Sequence, residues 1–144
     1  MRPGWRKEAD LAVESTKRIE KLAYRVNVSG HEVIADVTED LGGSNRGPDP
    51  HDFLQAALAA CTAITVQMYA NRKGIPLESV DVKVRIALEG PENQIHREVR
   101  LLGRLDEAQK ARLLEIAEKC PIHRFLVRGA KIETRPLPTP RSTT

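Results

Sequence analysis

The chain has 144 residues, of which 40% are hydrophobic and 30% are charged, a composition typical of one soluble globular domain. The net charge of +3 and the 3% content of aromatic residues argue against nucleic-acid binding, which needs a basic surface and often stacking side chains. The first residues lack the apolar segment of a secretory signal. We therefore expect a reducing, cytoplasmic location, in which two cysteines are reactive or buried rather than permanently bridged.

The N-terminal part of the chain predicts a hairpin after a polar extension. Residues 1–17 are weakly patterned and form an N-terminal extension whose structure the sequence leaves open. Apolar and polar residues alternate from Arg18 to Ser29, which predicts a strand with one buried face. Gly30 predicts a turn, and residues 33–37 continue as a second strand.

A long apolar helix follows a loop. Glycine and proline residues at positions 40–50 predict the loop, and the helix begins near Pro50 and ends before Gly74. It carries no charged residue between Phe53 and Tyr69, so it is apolar on all sides and predicts burial on all sides. It is too short and too rich in polar groups for a membrane span, and we expect it to be the core helix of a protein with no membrane partner.

A second hairpin and a second helix come next. Apolar and polar residues alternate without a break from Ser79 to Glu89, which predicts one strand, and residues 95–101 predict the antiparallel strand that pairs with it. One face of this hairpin would be covered by the core and the other exposed to solvent. Asp106 and Gln109 have the spacing of a capping box at the start of the second helix.

The last third of the chain is broken by Pro121, which interrupts the second helix. A short further helical turn would end at Gly129, and residues 131–135 would form a last strand. The proline-rich tail, residues 136–144, would be extended or disordered. The resulting order of strands and helices predicts one α+β domain over residues 18–135, with helices packed against antiparallel sheet.

Each of the two cysteines lies on the apolar stripe of a predicted helix. A lone cysteine such as Cys61, in the middle of the long helix, is most often a small buried hydrophobe. Cys120 precedes Pro121, where a new helical turn would begin, and a helix N-terminus favours a thiolate, as do the nearby cations His123 and Arg124. If the two helices bring the thiols together, a peroxide would oxidise one to a sulfenic acid, which would condense with the other to a disulfide.

Such a site also needs a cation to hold the thiolate and, for an organic peroxide, an apolar pocket. The sequence offers Arg25, Arg46 and Arg124 as cations, and we take Arg25 as the candidate partner of the thiolate. The candidate pocket residues are Phe53, Leu54, Leu58 and His123.

Two segments resemble the motifs of the OsmC/Ohr family, the osmotically inducible and organic hydroperoxide resistance proteins. The first is GPDPHDFLQAALAACT at residues 47–62, continued by MYANRKG at residues 68–74, and the second is CPIHRFL at residues 120–126. The cysteines, the prolines and the strand order all agree, and the likeness extends over roughly residues 18–135.

This resemblance implies an OsmC-like fold, in which antiparallel sheets surround a long buried central helix and a second helix in an intertwined homodimer. It implies a thiol-dependent peroxidase that reduces organic hydroperoxides without a haem, flavin or metal cofactor. Cys61 would be the peroxidatic cysteine and Cys120 the resolving cysteine. An external dithiol, such as a lipoylated protein, would regenerate the pair.

One position departs from the family pattern. In the best-studied branches, a glutamate follows the motif proline and holds a catalytic arginine from the N-terminal strand, whereas this chain has His51 followed by Asp52. Both are candidate site residues, although Asp52 is also explained as a first-turn acid that complements the helix dipole. The sequence is closer to an OsmC-like branch with histidine after the second cysteine.

Two other functions remain open at this point. The protein would be a non-catalytic redox-responsive or small-ligand-binding member of the family if the cysteines are a switch or plain core residues. A metal site built from Cys61, Cys120 and a histidine, either His123 or His51, is disfavoured because the spacing matches no zinc signature.

Overall fold

The first three strands form one antiparallel sheet ahead of the long helix. The structure, a computed structural model, describes residues 13–140, with the backbone alone for Glu14. The strands are β1 (Val13–Glu20), β2 (Ala23–Val28) and β3 (His31–Ala35), adjacent in that order. Residues 13–17 of the predicted extension therefore belong to β1, and its residues 1–12 lie outside the described part of the chain.

The single strand predicted from Arg18 to Ser29 is wrong. This segment contains the end of β1, a tight turn and all of β2. Lys21 takes a left-handed φ of 40° and reverses the chain without the glycine, proline or asparagine that usually marks a turn. Ala23 is fully buried, while Tyr24, on the side of the strand that was expected to be buried, is exposed. The more apolar side of this strand is therefore not its buried side.

A loop held by Asp36 leads from β3 to the long helix. The buried carboxylate of Asp36 accepts hydrogen bonds from the backbone N–H groups of Val37 (2.7 Å), Ser44 (3.2 Å) and Arg46 (3.0 Å). Burial opposes the charged form, but these hydrogen bonds and the charge of Arg46 lower the pKa of Asp36 below its ordinary value. A Cβ at Gly43 would lie 2.1 Å from the carbonyl oxygen of Val37, so the loop closes only with glycine there.

The long helix, α1 (Pro50–Lys73), begins and ends where the sequence predicts. Asp49 and Asp52 form a capping box at its N-terminus, and Gly74 ends it with a left-handed φ of 68°. Both ends are therefore fixed by local side-chain and backbone chemistry.

The rest of the domain packs against α1. Strands β4 (Leu77–Leu88) and β5 (Gln94–Gly103) form the second antiparallel sheet, and the helices α2 (Glu107–Ala117) and α3 (Pro121–Arg128) follow. Asp106 and Gln109 form the predicted capping box of α2, and Gly129 ends α3. The α+β class predicted from the sequence is confirmed, with three α-helices and two antiparallel sheets among the described residues.

Only one face of α1 is buried within this chain, contrary to the predicted burial on all sides. The buried face consists of Leu58, Cys61, Thr62, Val66 and Ala70. On the rest of the helix, Leu54, Ile64 and Met68 are between 42% and 56% exposed.

The length and composition of α1 would also suit a membrane span, so the expectation that it is too short and too polar for one was wrong. Within the described chain, β4, α2 and α3 pack against it. It is the core helix of a soluble domain.

The predicted last strand at residues 131–135 is also wrong. Residues 129–140 have no regular secondary structure, and Ile132 is 85% exposed. In the described part of the chain, no strand pairs with this segment, so its alternating pattern has no sheet to join.

Candidate active site

The structure brings the two cysteines together. Cys61 lies on the buried face of α1 and Cys120 immediately precedes α3, and both belong to one buried cluster with Leu58. Their exposed fractions are 3% for Cys61 and 0% for Cys120. Both are free thiols.

Both sulfur atoms lie at the N-terminus of α3. Cys120 is the N-cap residue, and its Sγ accepts the backbone N–H of His123 at 3.3 Å. The backbone N–H of Ile122, in the first turn of α3, favours the charged form of Cys61 and acts to lower its pKa. Because the first N–H groups of a helix are unpaired and carry partial positive charge, they favour negative charge on sulfur.

The surroundings of Cys61 nonetheless keep it protonated. Burial raises the pKa of the Cys61 thiol above its ordinary value, although the N–H of Ile122 and the hydroxyl of Thr65 oppose the shift. A negative charge on Cys120 and the hydrogen bond between the two sulfur atoms raise it further. The pair therefore holds one negative charge far more readily than two.

Arg97 is the cation that the structure places at the thiols. Its Nη1 atom is 4.0 Å from Sγ of Cys120 and donates to the hydroxyl of Thr62 at 3.1 Å. Its side chain is only 10% exposed. Arg97 lies opposite Val84 in the β4–β5 pair, and Val84 itself packs against the cysteine cluster.

Arg97 was not among the predicted site residues, although the sequence of β5 carries a sign of its role. Residues 95, 97, 99 and 101 form the covered side of β5, and Arg97 is the charged residue on this otherwise apolar side. A charge at an inward-facing strand position needs a partner, since buried charges are almost always paired.

A histidine and a glutamate complete the arrangement around Arg97. Its Nη2 atom donates to Nδ1 of His123 at 3.0 Å and lies 3.4 Å from Oε1 of Glu118. Because a guanidinium can only donate, Nδ1 of His123 is the acceptor, and the ring proton lies on Nε2. Nε2 in turn faces Oε2 of Glu118 at 3.6 Å.

A cleft of about 880 Å³ opens above this group. Leu54, Leu58 and His123 line it, as the sequence analysis expected, and so does Arg97. Its remaining apolar wall consists of Ile86, Ile95, Leu126 and Val127. The rest of its lining is polar or charged and includes Glu89, His96 and Glu118. The cleft therefore combines an apolar part with many polar groups, and it adjoins the cysteine cluster at Leu58, which belongs to both.

Phe53 does not line this cleft, which corrects the predicted pocket. It lies in a separate depression of about 540 Å³ with Arg46, Pro48 and Ala56. Successive helical residues point about 100° apart, so Leu54 faces the cleft and Phe53 faces the loop before α1.

His51 lines the cleft but contacts neither cysteine in the described chain. Its Nε2 atom lies 3.0 Å from both carboxylate oxygens of Glu89. This hydrogen bond and the charge of Glu89 raise the pKa of His51 above its ordinary value. Asp52 is occupied by the capping box with Asp49, which corrects its assignment as a catalytic candidate.

Two of the three predicted cations, Arg25 and Arg46, lie elsewhere. Arg25 pairs with Glu32 at 3.8 Å on the exposed surface of the first sheet, and Arg46 pairs with Glu20 at 3.0 Å. Among residues 13–140, no group of three or more His, Cys, Asp or Glu side chains has an arrangement that could hold a metal ion.

Comparison with known proteins identifies the family. The sequence profile of the OsmC-like proteins matches residues 42–135, which include both cysteines. The chain belongs to the OsmC-like family. Among curated proteins, no significant match was found.

Solved structures of OsmC and Ohr proteins share this fold. An organic hydroperoxide resistance protein OsmC from Legionella pneumophila is 21% identical, with a TM-score of 0.62 over 85% of this chain and 93% of that one. A Psychrobacter arcticus protein named for osmotic stress and detoxification is 18% identical, with a TM-score of 0.69 over 82% and 89%.

A third similar structure is an organic hydroperoxide resistance protein from Vibrio cholerae with captopril bound in one of its active sites. It is 19% identical to this chain, with a TM-score of 0.57 over 88% of this chain and 90% of that one. At these sequence identities, the similarity to the solved structures shows that this chain has the OsmC-like fold. Its chemistry has to be inferred from its own residues.

Proposed function

We propose that this OsmC-like protein is a thiol-dependent peroxidase that reduces organic hydroperoxides. The observation that carries the proposal is the pair of free cysteines, Cys61 and Cys120, in one buried cluster at the N-terminus of α3. The apolar wall of the adjacent cleft fits the hydrocarbon part of an organic hydroperoxide. The names of the Legionella and Vibrio relatives support the same substrate class.

The reaction proceeds in three balanced steps. The sulfur of Cys61 attacks the outer oxygen of the hydroperoxide, the O–O bond breaks, and the thiol proton passes to the departing alkoxide. The products are an alcohol and a sulfenic acid on Cys61. The sulfur of Cys120 then attacks the sulfenic sulfur, which forms the disulfide and releases the sulfenic oxygen as water once it is protonated. An external dithiol reduces the disulfide and is itself oxidised.

This chemistry requires no metal, haem or flavin, and its reductant is a dithiol such as a lipoylated protein. We also propose a cytoplasmic homodimer. The exposed apolar residues of α1, Leu54, Ile64 and Met68, support a second copy on this face, since exposed apolar patches often mark association surfaces.

The test is consumption of cumene hydroperoxide with a dithiol reductant by the parent protein and by two single variants. Cys61→Ser is expected to abolish turnover. Cys120→Ser is expected to form a sulfenic acid on Cys61 that a dimedone probe traps. Arg72→Lys, an exposed substitution in the last turn of α1, is the control on the same helix and is expected to keep the parent rate. Turnover by Cys61→Ser at the parent rate would refute the proposal.

The alternative is a redox-responsive protein without turnover, and the near-complete burial of both sulfur atoms favours it. Mild peroxide would then convert the pair to a disulfide once, with loss of two hydrogen atoms per chain by mass. Oxidation without repeated turnover in the presence of dithiothreitol and dihydrolipoamide would support this alternative. If peroxide changes neither the mass nor the thiol content, both redox functions are wrong.

A further inference from the structure

We propose that the cleft beside the cysteine cluster selects uncharged organic hydroperoxides over those that carry a carboxylate, and that Glu118 determines this preference. The substrate class rests on the proposed peroxidase function, whereas the preference of the cleft for uncharged ligands does not require turnover. The basis is the distribution of charge around the cleft, in which a carboxylate of this chain already occupies the cation that a substrate carboxylate would need.

The charged side chains that line the cleft are mostly acidic. Glu89, Glu98 and Glu118 all contribute carboxylates to the lining. Among the described residues, the lining contains one arginine, Arg97, and no lysine. Carboxylates therefore outnumber the permanent cation, and an electrostatic field of this sign disfavours the entry of a further anion.

The guanidinium of Arg97 is already engaged by groups of the chain. Its side chain is only 10% exposed, and its Nη2 atom lies 3.4 Å from Oε1 of Glu118 and 3.0 Å from Nδ1 of His123. Its Nη1 atom donates to the hydroxyl of Thr62 at 3.1 Å. A substrate carboxylate would have to displace Glu118 before it could form the bidentate pair that arginine makes with carboxylates.

The other two histidines of the lining, His51 and His96, are engaged as well. Nε2 of His51 lies 3.0 Å from both carboxylate oxygens of Glu89, whose hydrogen bond and charge raise the pKa of His51. Where His51 is protonated, its charge is therefore matched by Glu89. Nδ1 of His96 accepts from Arg85 at 3.0 Å, because a guanidinium can only donate.

Glu118 is the residue on which the preference depends, because its carboxylate is the anion that pairs with Arg97. The same side chain lies 3.6 Å from Nε2 of His123, so it covers two of the groups that could bind a ligand oxygen. It is itself 67% exposed, and its replacement should free Arg97 without disturbing the core. The apolar residues of the lining, such as Ile86 and Ile95, remain available to the hydrocarbon part of an uncharged ligand.

The test compares two ligands that differ in charge. Cumene hydroperoxide with a carboxylate in the para position is compared with the para carboxamide, which has nearly the same size and no charge. The corresponding alcohols do not oxidise thiols, so the NMR signals of the Leu54 and Leu58 methyl groups in the cleft report their binding alone. We expect the carboxamide alcohol to bind about fivefold or more tightly than the carboxylate alcohol.

The two hydroperoxides should differ by the same factor in KM, with kcat unchanged, because the para group takes no part in the cleavage of the O–O bond. A change of fold would not produce this split between charged and uncharged substrates. Raising the salt concentration from about 0.05 M to about 0.5 M should narrow the ratio, because charges on exposed carboxylates are screened.

Three variants identify the residues responsible. Glu118→Gln frees Arg97 and is expected to narrow the ratio of the two dissociation constants by about threefold or more. Glu98→Gln removes another carboxylate of the lining and is expected to narrow the ratio less. Glu78→Gln, an exposed substitution on β4 outside the lining, is the matched control and is expected to leave the ratio unchanged.

The inference is overturned if the carboxylate alcohol binds the parent protein as tightly as the carboxamide alcohol, if neither alcohol binds, or if Glu118→Gln leaves the ratio unchanged. Consumption of both hydroperoxides with equal KM would support the peroxidase function and overturn the preference. Tighter binding of the carboxamide alcohol by a protein that consumes no hydroperoxide would confirm the preference of the cleft while refuting the peroxidase function.

Discussion

Arg97 on β5 donates a 3.1 Å hydrogen bond to the hydroxyl of Thr62 on α1. The same hydroxyl donates to the backbone carbonyl of Leu58 at 2.7 Å, and Thr62 is fully buried. The Thr62 hydroxyl thus links β5 to α1 by hydrogen bonds, and it lies 3.7 Å from Sγ of Cys120. The guanidinium that it holds also lies 4.0 Å from Sγ of Cys120.

Thr62→Val tests how much the hydrogen bond between Arg97 and Thr62 contributes to the free energy of unfolding. Valine has nearly the same shape but cannot accept from Arg97, which leaves a largely buried donor short of a partner. We expect a loss of about 1–3 kcal/mol in the free energy of unfolding, measured by urea denaturation. Thr65→Val, one turn along α1 and only half-buried, should cost clearly less. Equal losses for the two variants would contradict this role of Thr62.

The core behind the site depends on Leu113. It is fully buried in a cluster with Val66, Ala70 and Ile116, whereas its neighbour Leu114 is 46% exposed. Leu113→Ala should cost about 2–5 kcal/mol because it leaves a cavity in this cluster.

The matched control is the adjacent leucine. Leu114→Ala should change the free energy of unfolding by only about 0.5 kcal/mol. Chemical denaturation of the two variants side by side measures the difference. A similar cost for both would show that α2 does not present the face described.

Much of the fold was predictable because its determinants are local. The ends of the helices lie at residues whose backbone preferences can be recognised in the sequence, namely Pro50, Gly74 and Gly129. The hairpin of β4 and β5 follows from unbroken alternation of apolar and polar residues. The turn at Lys21 was missed because its residues carry none of the usual turn preferences.

The site was only partly predictable, because its chemistry depends on long-range contacts. Cys61 and Cys120 stood out by residue type and by the motifs around them. Arg97 contacts Thr62 across 35 residues and Cys120 across 23; the alternation of β5 marks it as an inward-facing charge but does not show its partners. Phe53 was misassigned because the packing of the sheet, not the apolar character of the residue, decides which side of α1 faces the cleft.

Gly43 is one of two glycines in the loop before α1, with Gly47, that leave no room for a Cβ. A Cβ at this position would lie 2.1 Å from the carbonyl oxygen of Val37 and 2.7 Å from Oδ1 of Asp36. Gly43→Ala should therefore displace the loop and cost more than about 1 kcal/mol of stability.

The control is a glycine with free space around it. A Cβ at Gly90 would meet nothing within 4 Å, so Gly90→Ala should change stability by about 0.5 kcal/mol or less. Thermal unfolding and limited proteolysis of the loop measure the two effects. Equal resistance of both variants to protease would disprove the dependence on Gly43.

The pair of His51 and Glu89 makes the stability of the domain depend on pH. The hydrogen bond and charge of Glu89 raise the pKa of His51 above 6.5. A raised folded-state pKa means that protonated His51 stabilises the fold fully below the unfolded value, about 6.5. This stabilisation is lost as the pH rises through the folded value.

Glu89→Gln tests this linkage, because glutamine keeps the size of the side chain and removes its charge. We expect the pKa of His51, followed by NMR, to fall towards its ordinary value, with its remaining elevation due to Asp49 and Asp52. The decline in unfolding free energy with rising pH should flatten over the same window. Glu92→Gln, in the exposed turn between β4 and β5, is the matched control. An unchanged His51 titration in Glu89→Gln would show that the two side chains do not interact in solution.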